Sequence, residues 1–341
     1  MKTIKILLLL SCMFSVTVFA QRKVALQSNG VTSFYGGATA YVSAYNAAVN
    51  GDTLYLPGGT FPPVDIKKSI TIFGVGHHPD STAVTGATII SGGFNLYGGS
   101  ADSHIEGLKI NGNVGTAGNN DRCLLKRCHV AGSVSLNGDG VRIIENIILG
   151  PINANSSSNM VVGNNIIKYS SQNILTNMAQ NAWIHNNVIV GRGYVVSYTN
   201  CYLFGIITDC LFENNVIFNE GTTLANVLSP NATNNTFRNN VFNATPVGTD
   251  NVWTNNFTGV PSTDFFVSYS QLTFGYNENF SVRNAVYTGV DGKPVGIYGG
   301  LSPFKSGSVP VTPHINSLNI ATETDAQGKL NVQIKVKAQE N

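Results

Sequence analysis

Charge is what this sequence most lacks. Only 11 % of its residues are Asp, Glu, Lys or Arg, against about a quarter in an ordinary globular chain. Without Lys2 and Lys5 the 20 basic residues fall to 18, equal to the 18 acidic ones. A chain of zero net charge has no basic surface with which to neutralise phosphates, so nucleic acid is not an expected partner. Beyond residue 20 no apolar run reaches the roughly 20 residues that a membrane-spanning helix needs, and no transmembrane segment is expected. Helical periodicity is missing from most of the chain, which excludes a helix bundle.

What is present begins with a leader. Lys2 and Lys5 form a basic start, Ile6 to Leu10 an apolar run, and Val18-Phe19-Ala20 a small-residue exit before Gln21. This pattern predicts a cleaved signal peptide over residues 1–20 and a chain exported to the cell surface or beyond it. The alternative is lipidation at Cys12 behind "LLSC"; it leaves eleven residues for the signal and puts Leu10 where a small residue is usual. Four cysteines follow the leader: Cys123, Cys128, Cys201 and Cys210. An even number in an exported chain invites a disulfide reading. With so little charge, Asn, Ser, Thr and Gly must cover the surface. Neutral amides and hydroxyls suit sugars, and they also suit a stacked fold that cannot tolerate columns of like charge.

Pairs of adjacent asparagines recur, as in "VGNNIIK" from Val162, "IHNNVIV" from Ile184, "FENNVIF" from Phe212 and "FRNNVFN" from Phe237. Aligned on the second Asn, one column reads Leu108, Cys128, Asn146, Asn165, Asn187, Asn215, Asn240 and Asn256, at intervals of 20, 18, 19, 22, 28, 25 and 16 residues. Three positions earlier every residue is apolar, from Ile105 to Trp253; two positions later seven of eight are, from Ile110 to Phe242. Two apolar columns in register with an amide column over eight units define a repeat. Units of this length, rich in Val, Ile, Phe and Asn, predict short strands joined by tight turns. Such units stack at about 4.8 Å per coil. Asn tolerates the left-handed conformation of a sharp turn, and stacked amides form a ladder. The pairs are therefore expected to be turn residues, the second stacked internally. Cys123 and Cys210 fall in one column but four coils apart, roughly 19 Å at the coil rise, too far to bridge. Cys201 with Cys210 stays open.

The segment "AYVSAYNAAVNGDTLYLPGGTFPPVDIKKSITIFGVG", Ala40 to Gly76, resembles the opening of right-handed parallel β-helix proteins of the pectin-lyase-like superfamily. Gly51-Asp52-Thr53, Gly59-Thr60-Phe61 and Ile70-Thr71-Ile72-Phe73-Gly74 carry the match, and the resemblance extends over about residues 35 to 260. It implies an all-β, right-handed parallel β-helix of about nine to eleven coils over residues 21–261, with a helix at about Thr39 to Val49 capping the open end. Residues 262–341 are expected to form a C-terminal extension. Within it, "KLNVQIKVKA" alternates strictly, Leu330, Val332, Ile334 and Val336 against Lys329, Asn331, Gln333, Lys335 and Lys337, which predicts a half-buried strand. One position beyond the ladder, Ile147, Ile166, Val188, Val216, Val241 and Phe257 form an outward apolar stripe. C-terminal residues are expected to cover it, since a long bare apolar patch is unusual. The tail is similar to C-terminal segments of exported β-helix proteins from Bacteroidetes-type bacteria.

Chemistry is sparse. The resemblance places catalytic groups of the superfamily on the first strand of each coil, here around Phe94-Leu96, Val134-Leu136, Ile152-Ala154, Ile174-Thr176 and Ala225-Leu228. The expected outward residues, Asn95, Ser135, Asn153, Leu175 and Asn226, include no ionisable group. Paired carboxylates for glycoside hydrolysis, and a base with a cation for uronate elimination, are not found there. The dense charge cluster is Asp102, His104, Glu106, Lys109, Asp121, Arg122, Lys126, Arg127 and His129; a solvated salt-bridge patch is expected, with Glu106 and Lys126 able to pair across coils. Asp139 in "NGDG" reads as a turn residue. His185, Glu213 and Arg238 share a column two before the ladder, as a mixed-charge row able to move protons or contact sugar. His77 and His78 lack a third ligand at metal-like spacing. No catalytic residue, cofactor or metal is therefore assigned. The leading function is a polysaccharide-binding or polysaccharide-presenting surface; a divergent polysaccharide lyase or glycoside hydrolase, and a purely structural adhesion module, are the alternatives.

Overall fold

The structure, a computed structural model, describes residues 23–338 except 156, 179, 192–193, 197–198, 221–226, 247, 249 and 270–273. Residues 1–20, expected to be a leader and including Cys12, and Asn226 lie outside the described residues.

The chain coils into a parallel β-helix with three sheets as faces. A first sheet of twelve strands runs from Val31–Tyr35 and Val24–Ser28 through Thr53–Tyr55 to Val252–Thr254. A second, of nine, runs from Gly59–Phe61 to Val241–Phe242, and a third, of five, from Phe94–Tyr97 to Leu175–Thr176. Register follows the sequence columns: Leu125, Ile143, Val162, Ile184, Phe212, Phe237 and Trp253 stand above one another in the first sheet. These residues point inward and stack, Phe212 on Phe237 at 4.6 Å and Phe237 on Trp253 at 4.4 Å between ring centroids. The helix forms over Ala40–Ala47 and buries Ala40, Tyr41, Ala44 and Tyr45 on the end of this core. Lys68 Nζ closes its C-terminus by donating to the carbonyls of Tyr45 (2.9 Å), Asn46 (3.2 Å) and Ala48 (2.6 Å), satisfying acceptors that a helix end leaves bare.

The two asparagines of each pair do different work. The first is left-handed in every coil: Asn164, Asn186, Asn214, Asn239 and Asn255 have φ between 52° and 57°. Gly107, Arg127 and Glu145 hold the same corner in earlier coils, also with positive φ. The second Asn is fully inside from Asn146 to Asn240 and half-buried at Asn256. Asn146, Asn165, Asn187, Asn215 and Asn240 each donate from Nδ2 to Oδ1 of the next, at 2.9–3.0 Å, ending on Asn256. The same oxygens accept the backbone N–H of the preceding coil's ladder residue, so the turn leaves no buried donor bare. Cys128 takes the ladder's first step, and Cys123, Cys128 and Cys210 are free and buried. Burial pushes the thiols up, to about 11 for Cys123 and about 12 for the other two. Cys210 is thus an unbridged thiol, and the side chain of Cys201 lies outside the described residues.

The outward apolar stripe is covered, as expected, but by residues 260–304. Ile147, Ile166, Val188, Val216 and Val241 form a second core with Val260, Phe265, Phe266, Phe280, Tyr287, Val295, Ile297 and Phe304. From there the chain returns along the corner as a strap, held by the first Asn of four pairs. Asn239 Nδ2 donates to Thr288 O, Val290 N donates to Asn214 Oδ1, Asn186 Nδ2 donates to Gly296 O, and Asn164 Nδ2 donates to Ile297 O and Gly299 O. The terminal alternating segment corrects an expectation. Leu330–Lys337 pairs with His314–Thr324 in an antiparallel ribbon and is exposed along its whole length. Alternation reports that a strand has two unlike faces; it does not say what covers them.

Candidate functional site

The third sheet, where the sequence resemblance put the chemistry, is a neutral wall. Asn95, Gly115, Ser135, Asn153 and Thr176 stand in one outward column. Leu175, expected outward, is buried, because Ile152 pairs with Leu175 and Asn153 with Thr176. The register in that coil is one residue later than the sequence suggested.

The chemistry lies instead on the outer face of the first sheet. Residues four and two before the ladder point outward there, because the residue between them fills the core. Arg142, Val161 and Trp183 form one column, and Ile144, Gly163, His185, Glu213 and Arg238 the other. Against this face the strap contributes Val290, Asp291 and Gly300 to Ser302, closing a cleft of about 350 Å³. Trp183 is 36 % exposed, and its indole stacks on the His185 imidazole at 3.9 Å. Glu213 pairs with Arg238. Arg142 is exposed and makes no ion pair among the described residues.

His185 is held from behind. Asn186 Nδ2 donates to Gly296 O at 3.3 Å, so its Oδ1 faces His185 Nδ1, 3.2 Å away. This assigns the ring proton to Nδ1 and leaves the lone pair on Nε2. Burial lowers the His185 pKa from its ordinary value; the Asn186 bond and Glu213 oppose the shift, and Arg142 adds to it. A neutral imidazole with a bare Nε2 accepts a hydrogen bond or takes a proton. The row His185, Glu213 and Arg238 read from the sequence thus exists, and its first two members line the cleft. Trp183, Asn186 and Asp291 were missed. The Trp183 column was the available signal, since it alternates outward with His185.

The charge cluster around residues 102–129 is the main correction. It is no solvated patch at its centre. Arg127 is 0 % exposed and Glu106 is equally buried. Arg127 Nε donates to Glu145 Oε2 (2.8 Å), and its Nη1 to Glu106 Oε1 (3.3 Å) and Val309 O (3.2 Å). Glu106 also binds His104 Nε2 (2.8 Å) and accepts from Val311 N (3.1 Å). Burial pushes the Glu106 carboxyl up, but the His104 bond and the charges of Lys126 and Arg127 outweigh it, and the net shift is down. Lys126 stands beside Glu106 in register, yet its Nζ turns to Glu145 at 3.6 Å. The network clamps the strap's far end rather than facing solvent. Asp102 and Arg122 do form an exposed pair, at 2.6 and 2.8 Å. Asp139 accepts from Ser158 and Asn159 and, like Asp121, ties turns together.

His77 and His129 meet through the extension. Tyr276 Oη lies 2.5 Å from His129 Nδ1 and 3.1 Å from His77 Nδ1, with His78 edge-on to the same phenol and Lys109 beside His129 in register. Among the described residues no group of three His, Cys, Asp or Glu side chains is placed to hold a metal. No helix there is long and apolar enough to cross a membrane. The chain matches no family model, no curated protein and no solved structure.

Proposed function

We propose that this is an exported β-helix protein of the pectin-lyase-like type that holds polysaccharide in the cleft at Trp183, at the cell surface or outside the cell. One observation carries the reading: an exposed indole, braced from behind by an imidazole at 3.9 Å, stands in a cleft rimmed by hydrogen-bonding side chains on a rigid sheet. An aromatic face takes the C–H face of a pyranose, while Arg142, His185 Nε2 and Asp291 are available to its hydroxyls. The leader at Lys2 to Ala20 supports export. The neutral third-sheet wall offers a second, weaker polar surface.

The second reading is catalytic. A bare His185 Nε2 with the Arg142 cation in the same cleft resembles the base and charge that uronate elimination requires.

The test is a screen of residues 21–341 against acidic and neutral polysaccharides. Affinity electrophoresis reads binding, absorbance near 235 nm reads unsaturated products, and a reducing-sugar assay reads hydrolysis. Retardation that Trp183→Ala abolishes supports the binding site. New absorbance that His185→Ala abolishes transfers the conclusion to a lyase. Silence in all three leaves the cleft without a carbohydrate role and returns the fold to a structural one.

A further inference from the structure

The groups able to hold a ligand in this cleft are confined to a short stretch of the sheet. From Arg142 through Val161 and Trp183 to Glu213 the cleft spans four coils, a length of roughly 14 Å at the coil rise. Its volume of about 350 Å³ lies near the lower end of the roughly 300–1,000 Å³ of small-molecule sites. The coils on either side offer little to a sugar. On one side stand Leu124 and Lys126, the latter turned to Glu145; on the other stand Thr236 and Arg238, the latter turned to Glu213. Across the sheet, the strap from Val290 to Ser302 forms a wall. Leu301 stands on that wall 92 % exposed, an apolar side chain with almost no support from the protein, lining the same cleft as Trp183.

We propose that the cleft receives one saccharide unit with its immediate neighbour, a chain terminus or a side branch, between Trp183 and Leu301, and does not read the middle of a polymer. This rests on the reading of the cleft as a carbohydrate site. Its physical content is that a third and further sugar find no new partner on the protein. Affinity therefore saturates at two units, and the strap residue Leu301 is a specificity determinant without a role in folding.

Titration calorimetry on residues 21–341 tests this, with oligosaccharides of one to six units from cellulose, xylan and polygalacturonate as probes. In the series that binds, affinity is expected to rise from one unit to two and then to change by less than about threefold up to six, well under the factor of ten that corresponds to about 1.4 kcal/mol. Leu301→Ala is expected to weaken the disaccharide about fivefold with the melting temperature unchanged. A climb of more than about tenfold between two and six units overturns the inference and leaves the carbohydrate site standing, as does an unaltered disaccharide affinity in Leu301→Ala. If no series binds at any length, the carbohydrate reading falls and this inference falls with it.

Discussion

Gly163 lies directly beneath the His185 imidazole of the next coil. A β-carbon at residue 163 would sit 2.5 Å from Nε2 and 2.7 Å from Cε1 of that ring. The strand pairing makes the contact, because Gly163 and His185 are partners in register. A column that carries Ile144 before and Glu213 after is empty at Gly163, and the empty place is where the histidine lies down and the cleft begins.

Gly163→Ala is therefore expected to push His185 off its seat and away from Asn186. Carbohydrate retardation should drop at least tenfold, and stability by about 1–3 kcal/mol, the usual cost of overpacking. A double-mutant cycle with His185→Ala isolates the pair: the alanine at 163 should cost almost nothing once the ring is gone. Additive losses in urea denaturation would show that the contact is not the cause.

The ladder predicts a graded loss. Asn187 Oδ1 accepts from both Asn165 N and Asn165 Nδ2 at 3.0 Å, and its Nδ2 donates to Asn215 Oδ1 at 2.9 Å. Asn187→Ala strands these buried groups, each worth about 1–3 kcal/mol when left unsatisfied. Asn256 is half-buried and ends the run, so Asn256→Ala should cost about 1 kcal/mol. Equal shifts in the two urea midpoints would contradict the internal ladder.

Arg127→Met should detach the strap's far end. The substitution leaves Glu106 and Glu145 buried without their shared cation, which costs about 3–5 kcal/mol when one partner of a buried pair is removed. Hydrogen exchange reads the outcome locally: the amides of Ser308 and Val311, which donate to Lys305 O and Glu106 Oε1, should lose protection in this variant, while those of the Ile184 and Phe212 strands keep theirs. Uniform loss across the chain would argue for global destabilisation without a clamp.

Acid should weaken the docking of the extension. Burial pushes His129 down to about 4, with Lys109 acting in the same direction, and holds His77 well below its ordinary value. An unfolded histidine protonates near 6.5, so between pH 6.5 and 4 the unfolded chain binds more protons and stability rises with pH. The His129 contribution is complete above about 6.5 and declines as pH falls toward 4, by about 3 kcal/mol in all. Glu106, whose carboxyl is held down, loses its contribution only at lower pH, beneath the ordinary glutamate range. Urea midpoints at pH 7, 5.5 and 4.5 should slope more steeply in the native protein than in His129→Gln. Identical slopes would remove these imidazoles from the account.

The Asn pairs show how far the sequence could be read. The amide column and its apolar neighbours predicted the strand register of the first sheet from Ile105 to Trp253, because stacking copies one residue's environment onto the next. The corner role of the first Asn was visible in kind, as a turn residue. Its partner was not, because Asn186 and Asn164 bind backbone carbonyls of the strap, and a carbonyl carries no residue identity to search for. Glu145 was missed for a related reason. It sits with positive φ where later coils have Asn, and the buried Arg127 with Lys126 beside it explains a glutamate there. On the third sheet the single-residue slip at Leu175 followed from uneven turn lengths, which the ladder column does not constrain.

Repetition thus determined the parallel β-helix, its inner columns, the amide ladder and the apolar stripe awaiting a cover, since each is a property of one coil multiplied. The returning strap decided the rest. It chose which outward residues are buried, turned a charge cluster into a clamp, and walled off one stretch of the first sheet as a cleft. That path depends on contacts between segments more than a hundred residues apart, such as Asn186 with Gly296 and Arg127 with Val309, and no local pattern in the chain encodes which of the repeated corners a distant backbone will meet.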